Sequence, residues 1–293
     1  MNSAGMIAFL AAVSLVVSYY YLNVAIPSQL QWAGYVVLAN SSSSRFVNGI
    51  YGTWIVPNVN FSLANSSFSQ WIGIGGWKGD PRLMQVGVEA NFIGLRPNYT
   101  AFYEILGAQN PFQIPISALT VKPSDKIVAN ITLLSGSGSN ETWQILIKDL
   151  RSNQSYGKVF LYNASKLSAE WAVESGALGS TVIPLANFNM AYFGPEYTHT
   201  SGDFVLLGGT LLTINQANPI QLNSSSYEIL TATASPIQAD GSSFFVKYSA
   251  HGGLENNKAV AVWSYLFWAS AVILVISIAL SIILNRRPPS FKA

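Results

Sequence analysis

Cysteine is absent from the 293-residue chain, and histidine occurs only at His199 and His251. Without thiols there are no disulfides, thiolate metal centres or cysteine nucleophiles, and two histidines are too few to favour a zinc site. Neither a metal nor a cofactor is expected. Charge is scarce as well: Asp, Glu, Lys and Arg make up 10% of the residues, for a formal net charge of +2. Three of the fifteen basic residues, Arg286, Arg287 and Lys292, crowd the last eight positions. The remainder has no basic stripe of the kind that phosphate-backbone binding requires, so nucleic acid is not an expected partner. Familiar catalytic signatures are missing too. There is no Gly-x-Ser-x-Gly elbow, no Asp-Thr-Gly or Asp-Ser-Gly, and no His-Glu-x-x-His. GIGGWKG, residues 73–79, lacks the Gly-x-Gly-x-x-Gly spacing and reads as a tight strand-end turn, while His199 sits in a polar loop, YTHTS.

What the chain does contain is apolar: half of its residues are hydrophobic. AVAVWSYLFWASAVILVISIALSIIL, residues 259–284, carries no charge over 26 residues. As a helix it is roughly 39 Å long against a hydrocarbon core of about 30 Å, enough to span with tilt. Trp263, Tyr265 and Trp268 lie toward its first end and Arg286-Arg287 follow it. Aromatic belt and positive-inside bias agree on a cytoplasmic tail at 285–293 and contact with membrane lipid through this helix. Residues 1–26 form a second apolar segment, either a signal peptide or an N-terminal anchor. The polar HGGLENNK, residues 251–258, reads as a stalk. Residues 27–250 are then an exported domain of a cell-membrane protein. Nine Asn-x-Ser/Thr sequons (Asn40, Asn60, Asn65, Asn98, Asn130, Asn140, Asn153, Asn163, Asn223) all fall in this middle part. About three or four would arise by chance, so N-linked glycans are expected partners.

From Gln31 onward, short β-type runs are split by Gly, Pro, Asn and Ser, with no long helical period. The expected fold is all-β, an antiparallel β-sandwich of two sheets, flanked by the two hydrophobic helices. SGSGSNE at 135–141 and KPSD at 122–125 read as turns between strands.

Within these apolar strands sit a carboxamide and four carboxylates. LMQVGVEA, residues 83–90, places Met84, Val86 and Val88 on one strand face, with Leu83, Gln85, Gly87 and Glu89 on the other. Gly87 there suggests open space between the two polar groups. Glu104 lies in AFYEIL, and AEWAVES puts Glu170 and Glu174 on one face, opposite Trp171 and Val173. A solvated outer face and a lined cleft both account for this pattern. The scarcity of Lys and Arg on the same faces speaks for the cleft. Trp32, Trp54, Trp71, Phe102 and Trp171 are aromatic candidates to line it, or ordinary core.

WAGYVV, GTWIVP, QWIGIGG, LMQVGVEA, AFYEI, AEWAVES and FNMAYF occur in the same order and at comparable spacing as the motifs of the glutamic peptidases. Over residues 31–193 the chain thus resembles this family, the eqolisins or A4-like peptidases. The resemblance implies a two-sheet fold, acid-active endopeptidase activity on protein or peptide substrates, and a catalytic Gln-Glu dyad. The family's glutamine falls on Gln85 and its glutamate, the second acid of an Ala-Glu-aromatic-x-x-Glu segment, on Glu174. Glu104 matches an acid of the family's cleft and Trp71 the tryptophan of its Trp-x-Gly-Ile segment. Glu89 replaces an aspartate, and Gly75 stands where the family has a cleft aspartate. Trp32, Trp71, Glu89 and Glu104 are the expected substrate-binding residues.

On this reading Glu174 is base and then acid toward water and the leaving amine, ionised near an ordinary pKa of about 4.3. Gln85 donates to the oxyanion. The competing expectation is a non-catalytic, membrane-tethered binding or adhesion module on the same fold.

Overall fold

A computed structural model describes residues 31–249, apart from 41–44, 61–65, 94–95, 108–112, 139, 179–180 and 227–228. The apolar segments 1–26 and 259–284, the stretch 251–258 and the tail 285–293 lie outside the described residues. Among the described residues no helix is long and apolar enough to cross a membrane.

The chain forms strands almost throughout. The first nine are β1 (Ala33–Leu38), β2 (Val47–Ile55), β3 (Ser67–Gly75), β4 (Leu83–Ile93), β5 (Arg96–Ile105), β6 (Ile114–Pro115), β7 (Lys126–Ser135), β8 (Thr142–Asp149) and β9 (Ser155–Leu161). They are followed by β10 (Ser168–Glu174), β11 (Ala177–Leu178), β12 (Thr181–Val182), β13 (Met190–Phe193), β14 (Phe204–Leu207), β15 (Thr210–Thr213), β16 (Ile220–Ser226), β17 (Ile229–Ala234) and β18 (Phe244–Tyr248). One short helix, α1 (Pro195–Thr198), follows β13.

Alternation makes these segments strands. In β8, Trp143, Ile145, Ile147 and Asp149 are buried while Thr142, Gln144, Leu146 and Lys148 turn outward. The expected turns form as well. At the β7–β8 connection Gly136 has φ +96°, and a Cβ there would lie 1.9 Å from the Asn140 carbonyl oxygen, so only glycine fits. In the 122–125 turn, Asp125 Oδ2 accepts from the Lys122 backbone N–H at 2.7 Å.

The fold is all-β with antiparallel ladders, but the two separate sheets expected from the sequence are not what the ladder shows. Hydrogen bonding runs without interruption in the order β6-β5-β4-β3-β10-β1-β16-β17-β18-β13-β2-β7-β8-β9, with β14 and β15 branching from β2. The connection is β16. Its first half pairs with β1 (Gly34 opposite Leu222), and its second half pairs with β17 (Asn223 opposite Thr233). One strand therefore carries the ladder from one half to the other. The sheet curls so that β3 and β10 meet β2: the Trp171 indole N–H donates to the Tyr51 carbonyl at 3.0 Å, and a Cβ on Gly52 would lie 2.4 Å from Ile72 Cγ2.

The main core fills the inside of this curl and includes Trp54, Trp143, Trp171, Phe193 and Phe244. A second, smaller apolar cluster lies on the opposite face of the β10-β3-β4-β5 portion, built from Trp32, Val36, Trp71, Leu83, Phe102, Ala172 and Leu222. Trp54 and Trp171 thus belong to the main core and not to the face that carries the acids: Trp54 comes from β2 across the core, and Trp171 alternates away from that face on β10. Phe102, Trp32 and Trp71 do lie on it.

Glu141 and Asp203 are among the acids that sit deep in the fold. Glu141 is fully buried and accepts from the Trp143 indole N–H at 3.2 Å and from Lys166 Nζ. Asp203 is fully buried with Oδ1 accepting from the Thr53 backbone N–H (2.9 Å) and hydroxyl (2.7 Å). Burial pushes the Asp203 carboxyl well above the usual range, against the lowering effect of those hydrogen bonds.

Lys166→Met strands a buried carboxylate and is expected to cost about 3–5 kcal/mol, read as a lower urea midpoint near neutral pH. Adding Glu141→Gln should recover part of the loss. For Asp203 the native state binds the proton more tightly than the unfolded chain. Its contribution is fully present below the unfolded pKa of about 3.9 and is lost as pH rises toward the folded value. Urea midpoints should therefore be higher at pH 3.5 than at pH 7.5, and Asp203→Asn should flatten that difference.

Candidate active site

Strand register builds the site. Directly opposed residues of an antiparallel pair point to the same side, as do residues two apart along a strand. Across β10, β3, β4 and β5 the opposed sets are Glu170–Gly73–Gln85–Glu104, then Ala172–Trp71–Gly87–Phe102, then Glu174–Ser69–Glu89–Thr100. All three sets lie on one face. Gln85, Glu89, Glu104, Glu174 and Trp71 therefore share a surface, while Met84, Val86, Val88, Trp171 and Val173 on the other face enter the main core. Trp32 precedes β1 by one residue, and since Ala33 opposes Val173, Trp32 falls level with Glu174.

Side-chain contacts draw the face together in two clusters. The Trp71 indole N–H donates to Glu174 Oε2 at 3.2 Å, and Trp32 packs edge-on against Trp71 with centroids 5.0 Å apart. Gln85 Nε2 donates to Glu104 Oε2 at 2.5 Å. Gln85 Oε1 is buried and has no hydrogen-bond partner. Among the described residues no hydrogen bond joins Gln85 to Glu174 directly; Glu104 sits on β5, on the far side of Gln85 from β10, and its charge still acts on Glu174.

Gly87 does not leave open space. A Cβ there would lie 2.5 Å from both the Trp71 Cβ and the Gln70 carbonyl oxygen, and one on Gly73 would lie 2.7 Å from Trp71 Cζ3. The Trp71 ring lies against Gly73, and its Cβ and backbone lie against Gly87, so both positions stay small to make room for that residue. Gly75, at the end of β3, has φ +91° and a Cβ position 2.1 Å from the Arg82 carbonyl oxygen. An aspartate cannot occupy this backbone.

The face is acidic and none of its three sets contains Lys or Arg. Burial pushes Glu174 up to about 8, with the Trp32 indole opposing, the Glu104 charge adding to the rise and the Trp71 hydrogen bond opposing. Trp32 acts here without closing to a full hydrogen bond. Glu104 is raised by burial, lowered by the Gln85 hydrogen bond and raised again by Glu89. Glu174, Glu104 and Glu89 keep partial access to solvent. Below neutrality the Glu174 carboxyl therefore carries a proton, contrary to the ionised base expected from an ordinary glutamate.

Glu170 was legible as sharing the face but had been given no role. It is completely buried, neither oxygen has a hydrogen-bond partner, and burial holds its carboxyl well above the usual range. Its apolar neighbours Ala169 and Trp171 were the only signal in the sequence. Among the described residues no three His, Cys, Asp or Glu side chains gather into a metal-binding group.

Trp71→Phe removes a donor that favours the charged carboxylate. It should raise the Glu174 pKa further, measured by carboxyl-carbon NMR titration, and an unchanged or lowered value would contradict the contact.

The same arrangement of strands is found in solved glutamic peptidases. The chain is similar to scytalido-glutamic peptidase, solved with a transition state analog inhibitor, at 16% identity and a TM-score of 0.60 over 75% of this chain and 98% of that one. It is also similar to SCP-B, an eqolisin solved in complex with the tripeptide Ala-Ile-His, at 16% identity and a TM-score of 0.56 over the same shares. At these identities the likeness shows the fold alone. In sequence the chain is 26% identical over 173 residues to aspergillopepsin-2 of Aspergillus niger, covering 58% of this chain and 58% of that protein. The Peptidase A4 family model matches residues 30–235, which takes in the whole acid-bearing face and most of the curled sheet, and the chain belongs to that family.

Proposed function

We propose that the protein is a glutamic endopeptidase whose catalytic pair is Gln85 and Glu174. The reading is supported chiefly by the common face on which register sets both side chains, with Glu104 hydrogen-bonded to Gln85 on the same face. Family membership supports a protein or peptide substrate. Trp32, Trp71, Glu89 and Glu104 surround the pair and are the substrate-contacting residues of this proposal. The apolar segment at 259–284 and the sequons support a domain held on the outside of the cell membrane.

The raised carboxyl shapes the chemistry. Glu174 enters the cycle protonated in acid, so one oxygen can accept while the other donates. Water attacks the scissile carbonyl carbon and gives a proton to one Glu174 oxygen as the proton on the other passes to the carbonyl oxygen. A neutral diol results. In the second step Glu174 protonates the amine nitrogen, recovers a proton from the diol, and the C–N bond breaks. Gln85 contributes at both ends of this exchange. Its NH2 group, one donor of which goes to Glu104, can give the other to the carbonyl oxygen as charge builds there, and its unpartnered Oε1 can orient the water.

Loss of an oxyanion donor typically costs about 2.7–4 kcal/mol, or roughly 100- to 1000-fold in rate. Gln85→Ala should lower kcat by that amount on a denatured protein substrate at pH 4, and Glu174→Gln should abolish cleavage while leaving peptide binding intact. Binding without cleavage in the unaltered protein would instead support a tethered binding module. A protonated Glu174 predicts that kcat/KM falls as pH rises through about 8. A rate that climbs from acid into alkaline solution would remove this mechanism.

A further inference from the structure

The outer face of β7–β9 is unlike the rest of the surface. Nine large apolar side chains stand exposed among the described residues, and five of them (Leu134, Leu146, Leu150, Val159 and Leu161) lie on these strands or the turns beside them. Leu161 is 75% exposed and Val159 54%. The patch is continuous across the ladder: Leu146 lies over Gly157, whose Cβ position is 2.7 Å from Leu146 Cδ2, and Val159 follows two residues on. β9 is also the last strand of the ladder among the described residues, and no described strand pairs with its outer edge. Edge strands are commonly protected by an outward charge. Here Lys158 turns inward instead, with Nζ 2.9 Å from the Tyr103 hydroxyl, and the outward row of β9 is Ser155, Gly157, Val159 and Leu161. An uncharged, apolar, unpaired edge predicts self-association unless something covers it.

The sequons supply a cover. Of the eight whose asparagine is described, four surround this patch. Asn153 lies two residues before β9 and Asn163 two residues after it, both exposed. Asn140 is exposed in the turn leading to Thr142, which opposes Leu161. Asn130 opposes Leu146 on the face itself. A seven-residue strand is only about 23 Å long. A bulky, solvated group at each end and one on the adjoining face leaves no free stretch for a second chain to join.

We propose that N-linked glycans at Asn130, Asn140, Asn153 and Asn163 clothe the β7–β9 face and block its edge from pairing with another molecule. The inference rests on the export proposed above and not on the chemistry of the cleft. The test uses the full-length chain from an exporting, N-glycosylating host, in one detergent throughout. Glycopeptide mass spectrometry should find all four sites occupied. Replacing the four asparagines with glutamine should then give concentration-dependent dimers or larger species by light scattering, with activity per chain within twofold. Replacing Asn40, Asn60 and Asn98 should leave the mass unchanged. Enzymatic removal of glycans from the folded protein gives the same readout if the fourfold variant misfolds, and Val159→Lys in the glycan-free protein should restore the monomer. Occupancy at Asn40, Asn60 or Asn98 with these four bare would overturn the proposal while leaving export standing. No glycan anywhere would overturn both, and a bare protein that stays monomeric would refute the shielding role.

Discussion

The register of β3 between β10 and β4 is the constraint on which the site depends. Side chains in a strand alternate with a period of two, so a slip of one residue would send Trp71 into the main core and bring Ile72 out beside the acids. Two features oppose that slip. Ile72 and Trp171 are fully buried in the core behind the sheet, and Trp71 packs against Gly73 with its ring and against Gly87 with its Cβ, where a side chain at either glycine would collide with it. The tryptophan is thus a register pin as well as a hydrogen-bond donor to Glu174. Packing and chemistry are set by one side chain.

Around that pin the electrostatics are one-sided. Glu104 raises Glu174 and Glu89 raises Glu104, with no cation in the same rows to compensate. In neutral water such crowding would be costly. With the carboxyls protonated it becomes a set of hydrogen-bonding acids, and the buried Glu170 and Asp203 follow the same logic elsewhere in the fold. Raised carboxyls such as Glu174, Glu170 and Asp203 are best tolerated when they hold their protons, so the fold carries these acids more easily as pH falls.

Much of this was legible before any coordinates. Alternation in LMQVGVEA and AEWAVES put Gln85, Glu89, Glu170 and Glu174 on the faces they occupy, because a strand's period is a local property. It also sets Trp171 opposite Glu170, which conflicts with its candidacy as a cleft aromatic, and the structure places it in the main core. Non-local properties were not readable. Nothing near Gly87 announces that Trp71, sixteen residues earlier in the chain, fills the space above it. The proton affinity of Glu174 depends on burial by strands far away in sequence, so an ordinary value was the only one available. The single continuous ladder was hidden for a similar reason: IQLNSSS reads as one strand, and its division of labour between two neighbours becomes visible only in the pairing.

That topology has a kinetic corollary. β10 is clasped between β3 and β1, and β1 is held on its other side by β16, so strands from opposite ends of the domain must find each other before the acid-bearing surface is complete. Ala33 opposes Val173 and Gly34 opposes Leu222, contacts that close very long loops and so carry a large entropic cost before they reward the chain. A nascent chain that has produced only its first half holds Gln85 but not Glu174. Under the function proposed above, the catalytic pair would therefore be incomplete until the later strands join the sheet.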